Sequence, residues 1–492
     1  MNSSIIRKIL GYVLVLEGLL LLLPCMVGLI YSEKEYKIYL IWSVITLLIG
    51  AVMVAKKNTN NVFYLKEGCI ATALSWIFLS LFGAVPFYLT GEIPRFTDAL
   101  FETVSGFTTT GASILNDVES LSHASLFWRS FTHWIGGMGV LVFILTVVKI
   151  SGGSNVNLLK AESPGPSVGK LVPKMRYTAR MLYLLYFALT VFEIIFLVAG
   201  KMPIFDAVTA ALGTAGTGGF GIKGDSMASY SPYIQWVITV FMVLFGVNFN
   251  FYYFVLFKHF GKAVKMEEVR VYLLVIISAI TVISLNTYHM YNSVSDTLTH
   301  SAFQVASIIT TTGYTTVDFD LWPSLSKTIL VLLMFIGACA GSTGGGIKVS
   351  RIVLLLKTIK KEVQSYIHPK TVKKVRLDGK PVEHEVIRST NVFFMTFSLI
   401  FITSLLIISA ENYDLATNFS AVAATMNNIG PGLSLVGPSR NFSHFSDLSK
   451  YVFIFDMLAG RLEIFPILLL FSPNLWIDVM KKKSHNKKKS HK

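Results

Sequence analysis

Phe101–Gly111 reads FETVSGFTTTG, Val208–Gly218 reads VTAALGTAGTG, Phe303–Gly313 reads FQVASIITTTG and Ser420–Gly430 reads SAVAATMNNIG. In each, small or apolar residues sufficient for roughly two helical turns lead into a Thr/Asn/Gly-rich run that ends on a glycine. The first and third stretches share an opening Phe, a serine at the same offset (Ser105, Ser307) and an identical TTTG. Each stretch lies in a long, semi-apolar loop between two apolar segments. A single Thr/Gly turn means little. Four at equivalent places predict an internal repeat of span, short re-entrant helix, loop and span. Non-helical backbone at membrane depth is tolerated only where it lines a wet cavity.

Such loops suit one chemistry. A dehydrated alkali cation needs several oxygen ligands in place of its water shell, and backbone carbonyls supply them without a fixed charge that would trap the ion. Glycine permits the backbone angles that turn those carbonyls inward. Threonine hydroxyls add oxygens, and each short helix aims its negative C-terminal end at the ion.

The composition agrees. Of 492 residues, 53% are hydrophobic and 14% charged, with a mean hydropathy of +0.60. That is too little charge to cover several soluble domains, and too apolar for disorder. Long apolar stretches at 9–31, 38–55, 70–90, 126–148, 181–199, 234–257, 271–286, 326–356, 391–409 and 451–471 predict ten spans. With the N-terminus placed in the cytoplasm, the inside segments hold 33 of the 43 Lys and Arg, so both termini are expected to be cytoplasmic. The same bias explains most of the net charge of +15 without nucleic acid. The C-terminal KKKSHNKKKSHK reads as a solvated stop, with binding to anionic membrane lipid as a secondary reading. Cys25, Cys69 and Cys339 form no CxxC pair or disulfide framework.

Further segments carry a resemblance. HWIGGMGV at 133–140, AESPGPSVGKLVP at 161–173, GACAGSTGGGIK at 337–348, NNIGPG at 427–432 and AGRLEIF at 459–465 are similar, in order and spacing, to segments of the Trk/Ktr/HKT superfamily of potassium transporters, closest to its TrkH branch. The two extra N-terminal spans favour that branch over KtrB. The resemblance implies an all-α polytopic membrane protein with four M–P–M repeats around one K⁺-channel-like pore. It also implies a homodimer and a cytosolic TrkA-like subunit that binds nucleotides. The expected division is 1–66 as a two-helix extension, 67–160, 161–265, 266–375 and 376–480 as the four repeats, and 481–492 as a basic cytosolic tail. By position, the family's ion-binding filter falls on Thr109, Thr110 and Gly111; Gly216, Thr217 and Gly218; Thr311, Thr312 and Gly313; and Asn428, Ile429 and Gly430. Serine at the first glycine is associated with sodium permeation in this superfamily. Glycine at all four positions favours potassium as the transported ion, through the plasma (inner) membrane.

Gly341, Ser342, Thr343, Gly344, Gly345 and Gly346 interrupt the apolar stretch 326–356. A glycine run there breaks a helix and leaves backbone groups that need a cavity or partner. The resemblance makes this run a gate below the filter; a glycine kink for helix packing is the plainer alternative. Arg461 lies deep in the last span, where an arginine is costly. It is expected to face the pore and bond the 341–346 carbonyls, or else to pair with Glu463 or Asp456. GTGGFG at 216–221 matches a dinucleotide fingerprint only in letters, since that fingerprint needs a strand before it and a helix after it, whereas IKGDS follows here and the stretch sits at the filter position of its repeat. No HExxH, GxSxG or paired-carboxylate signature points to an enzyme or an organic cofactor. The rival readings are a sodium-permeable cation transporter of the same superfamily and, more remotely, a polytopic membrane enzyme. Channel-like flow and symport are not separated by these residues.

Overall fold

The computed structural model describes residues 2–56, 64–139, 175–369 and 373–473. The 161–173 segment, the 160/161 repeat boundary and the 481–492 tail lie outside the described residues. Apart from a small hairpin at β1 (Arg376–Leu377) and β2 (Lys380–Pro381), the elements described are helices. The chain is an all-α polytopic membrane fold.

Three helices come first: α1 (Ser3–Leu20), α2 (Leu22–Ile30) and α3 (Tyr36–Ala55). Small residues let α1 and α3 touch backbone to backbone. A Cβ on Gly50 would lie 2.7 Å from the Val15 amide nitrogen.

A pattern of helix, short helix, loop and helix then recurs. It runs through α4 (Leu65–Leu89), α5 (Phe96–Phe107) and α6 (His123–Met138), and then α7 (Met175–Ala199), α8 (Ile204–Gly216) and α9 (Pro232–Gly246). After α10 (Phe249–Leu256) and α11 (Phe260–Val264), it resumes with α12 (Glu267–Thr287), α13 (Val294–Ile309), α14 (Ser324–Ile336) and α15 (Val349–Ile367). It closes with α16 (His384–Ile408), α17 (Leu415–Met426), α18 (Asp447–Arg461) and α19 (Phe465–Leu470). The short helices α5, α8, α13 and α17 carry Asp98, Asp206 and Asp296 in the first turn, or Asp414 as the cap. A carboxylate there complements the positive helix end.

Among the described residues six helical segments are long and apolar enough to cross, and a seventh is the bent pair α9–α10. The expected span at 126–148 runs past the described residues after Gly139, and those at 234–257, 326–356 and 451–471 are broken. Gly139 and Gly337 end α6 and α14 with φ of 80° and 72°. The chain turns 91° between α9 and α10, where Asn248 caps the second helix. Glu463 and Ile464 separate α18 from α19 with φ of 58° and 66°. Apolar composition fixes burial but not helix continuity, which these local conformations interrupt.

Candidate ion pore

The four short helices end in the same way. Thr109, Thr217, Thr311 and Asn428 adopt left-handed φ of 55–60°. Each donates its N–H to the carbonyl three residues back, at 2.9–3.3 Å: Gly106, Thr214, Ile308 and Thr425. The next residue, Thr110, Gly218, Thr312 or Ile429, donates to the carbonyl five back, at 2.8–2.9 Å: Ser105, Gly213, Ser307 and Ala424. This is the Schellman arrangement, and it puts a left-handed residue directly at each helix terminus. The residue after that is Gly111, Gly219, Gly313 and Gly430, with φ of 75–96°.

These conformations shift the register expected for the second loop by one residue. Thr217, Gly218 and Gly219 match Thr109, Thr110 and Gly111, and Gly216 is still in α8. The local sequence has glycines at 213, 216, 218, 219 and 221. Only the backbone angles single out Gly219.

The loops close into a ring. A Cβ on Gly111 would lie 2.0 Å from Gly218 O, and one on Gly219 would lie 1.9 Å from Thr312 O. One on Gly313 would lie 2.1 Å from Ile429 O, and one on Gly430 would lie 2.9 Å from Thr110 O. Loop one thus meets loop two, two meets three, three meets four and four returns to one. Positive φ and a neighbouring carbonyl each demand glycine at these positions.

Side chains brace the ring unequally. Arg129 on α6 pairs with Glu102 on α5 at 2.6 Å, donates to Gly221 O at 2.7 Å and lies 3.6 Å over the Phe220 ring. His133 accepts the Phe220 N–H at Nε2, so its Nδ1 carries the proton that reaches Gly106 O at 2.8 Å. Tyr314 donates from loop three to Ala210 O of α8 at 3.1 Å. Asn428 Nδ2 donates to Thr110 Oγ1 and Met457 O, both at 2.9 Å.

The segment between α14 and α15 sits against the ends of the short helices. Gly345 N donates to Thr311 Oγ1 at 2.6 Å, and Gly346 N donates to Asn427 O at 3.0 Å. Arg461 donates to Thr343 O at 2.9 Å and to Gly136 O and Gly137 O at 2.5 and 2.8 Å. The structure therefore brings Arg461 to the 341–346 run. Glu463 instead pairs with Arg351, and Asp456 accepts from Ser404 at 2.7 Å. The flanks of the segment share one acceptor, Glu268 Oε1, which takes the Ala340 and Ser350 N–H groups at 2.6 and 3.1 Å. Cys339 N also donates to Gly246 O at 3.0 Å, and Phe249 N to Gly341 O at 3.0 Å. The segment is thereby stitched to the α9–α10 bend.

Several of these residues carry no recognisable sequence signal. Glu102 lies inside the first quoted stretch, yet no motif marks it. Arg129 and Glu268 read as ordinary helix residues. Lys348 is buried with its Nζ on Gly344 O and Gly345 O. Among the described residues no group of His, Cys, Asp and Glu comes together as a metal site.

A polytopic helical membrane protein with four re-entrant loops closed around one axis is built as a transporter of ions. Residues 37–478 match the TrkH family model, described as cation transport protein. A curated relative from Salmonella typhimurium, named Trk system potassium uptake protein TrkH, is 35% identical over 97% of this chain and the whole of that protein. Trk system potassium uptake protein TrkG of Escherichia coli is 34% identical over 97% and 100% of the two chains. The crystal structure of the potassium transporter TrkH from Vibrio parahaemolyticus matches with a TM-score of 0.86, at 32% identity over 97% of this chain and all of that one. The chain belongs to the TrkH family. It is a membrane transporter, not an enzyme.

Proposed function

We propose that this chain carries potassium inward across the plasma membrane through a selectivity filter made of the four loops. The observation that carries the reading is the closed ring of carbonyl-to-glycine contacts at Gly111, Gly219, Gly313 and Gly430. Ring carbonyls replace the hydration shell of a dehydrated cation. The ligating residues are Thr109, Thr110, Gly111, Thr217, Gly218, Gly219, Thr311, Thr312, Gly313, Asn428, Ile429 and Gly430. The relatives' names give potassium as their substrate.

The 341–346 run acts as the gate. It lies against Thr311 and Asn427, and Arg461 holds it shut through Thr343 O. On this reading the pore is built of the four repeats 67–160, 161–265, 266–375 and 376–480, with 1–66 as an extension. Both termini are cytoplasmic, on the face that collects most of the Lys and Arg. The protein works as a homodimer with a TrkA-like nucleotide-binding subunit docked on that face; the relatives' Trk system naming supports an association with further components.

Rubidium uptake and reversal potentials of purified protein in liposomes test the reading. Potassium and rubidium should permeate in preference to sodium. Equal sodium permeation would favour the sodium-permeable alternative, and no cation flux would refute the pore.

A further inference from the structure

We propose that the Lys348 ammonium occupies a monovalent-cation site in the permeation path, made by the Gly344 and Gly345 carbonyls beneath loops three and four. The proposal rests on the gate reading above and names what keeps that gate charged and dry.

Lys348 is 2% exposed. Its Nζ donates to Gly344 O, and to Gly345 O at 3.2 Å. Both acceptors are main-chain carbonyls. A buried ammonium is ordinarily matched by a carboxylate, because a charge taken out of water needs a counter-charge. Among the described residues no carboxylate forms an ion pair with Lys348: Glu463 pairs with Arg351, and both it and Glu268, which accepts the Ala340 and Ser350 amides, act on the ammonium only at longer range. Oxygen dipoles without a fixed charge are the ligand set of a potassium site. The lysine ammonium is a compact point charge that fits such a set.

The location agrees. A Cβ on Gly344 would lie 2.9 Å from Thr310 O, and one on Gly345 would lie 2.7 Å from Asn427 O. Thr310 and Asn427 are the C-terminal caps of α13 and α17, where the helix dipoles concentrate negative potential.

The backbone supplies an independent sign. Lys348 has φ 84° and ψ 133°, a conformation that suits glycine and strains any other residue. Three glycines precede it at 344–346. Strain at a non-glycine residue persists where the side chain has a task that offsets it. While the ammonium sits on these carbonyls, no free cation can. Opening must therefore withdraw the loop and its tethered charge together.

Lys348→Gly tests this, because glycine suits the backbone and removes only the ammonium; Lys348→Met serves as a second variant. Without a regulatory subunit, rubidium flux per folded protein should rise about tenfold or more over the parent, as expected for removing a tethered positive charge that competes with free cations for these carbonyls. The vacated carbonyls should also admit a free cation. Thermal unfolding in potassium against N-methylglucamine should then show a larger potassium-dependent rise in midpoint for the variant than for the parent. A rise in flux with no added potassium response would make Lys348 a structural pin and overturn the cation site. Parental flux and parental potassium response in folded variants would overturn it too. A variant shortened by Gly344–Gly346 separates the two readings. If it does not raise flux, the gate itself fails. If it does and the Lys348 variants do not, only the tethered cation fails.

Discussion

Replacing Arg461 by methionine should raise basal flux by an amount set by its hydrogen bond to the loop, at Thr343 O. The guanidinium reaches Gly136 O and Gly137 O on α6 and Thr343 O on the loop. On the gate reading, loop withdrawal breaks only the bond to Thr343, because α6 and α18 are framework elements. A charge-assisted bond contributes about 1.5–3 kcal/mol. Its loss shifts the closed-to-open ratio roughly 10- to 150-fold, at 1.4 kcal/mol per tenfold. The two α6 bonds act on stability instead, so Arg461→Met should also unfold at lower temperature. Arg461→Lys keeps the charge but cannot span both sides from one ammonium, and should fall between the two. The guanidinium is also a positive barrier in the pore. Single-channel recording separates the roles: a lost latch raises open probability, and a lost barrier raises unitary conductance. Shortening the glycine run in the Arg461→Met background should add little if both act on one closed state. A folded Arg461→Met protein with the parent's open probability would refute the latch, and additive effects at sub-saturating flux would refute the coupling.

Gly219→Ser and Gly111→Ser should both lower potassium-over-sodium selectivity, since a Cβ at either position meets a loop carbonyl within about 2 Å; reversal potentials changed by Gly111→Ser but not by Gly219→Ser would restore the register through Gly218. Arg129→Met leaves the buried Glu102 carboxylate unpaired and should cost about 3–5 kcal/mol of stability, with much of that recovered in Arg129→Met/Glu102→Leu; thermal unfolding reads both. Charge reversal at Lys360, Lys361, Lys373 and Lys374 should abolish co-purification with a TrkA-like subunit while leaving the fold intact, and unaffected co-purification would move the docking surface elsewhere.

Much of this architecture is legible in the sequence because glycine and threonine are needed for backbone reasons. The loop stretches announce themselves at 101–111, 303–313 and 420–430, where a single glycine ends each run. The second loop offers too many glycines for spacing to choose among. Only the left-handed turn at Thr217 fixes Gly219 as the partner of Gly111. The break at Leu462–Ile464 was not legible, because neither glycine nor proline lies within it and its apolar flanks read as one span. The burial of Lys348 and Arg351 is illegible for a related reason. A basic residue after a glycine run looks like the start of a solvated loop, whereas both are buried. Arg461 was legible because an arginine ten residues into an apolar run has few affordable explanations.

The symmetry of the ring and the asymmetry beneath it follow from one property of the chain. Four identical subunits would place four copies of any loop at the axis, where there is room for one. A single chain with four repeats can differ at each second helix. Here α6 ends at Gly139, α9 bends into α10, and α18 breaks before α19, while the chain between α14 and α15 packs against the third and fourth short-helix ends. The hydrogen bonds of that segment divide in a way that suits movement. Its flanks converge on Glu268 through Ala340 and Ser350, so a single carboxylate fixes both ends. Its tip is held by separable contacts with Thr311, Asn427 and Arg461. A segment tied at its base and latched at its tip can swing without dismantling the helices on either side. The Phe249 N–H on Gly341 O gives the α9–α10 bend a direct hold on the same hinge. On the gate reading, that bond is one route by which a force on α10 and α11 would reach the pore.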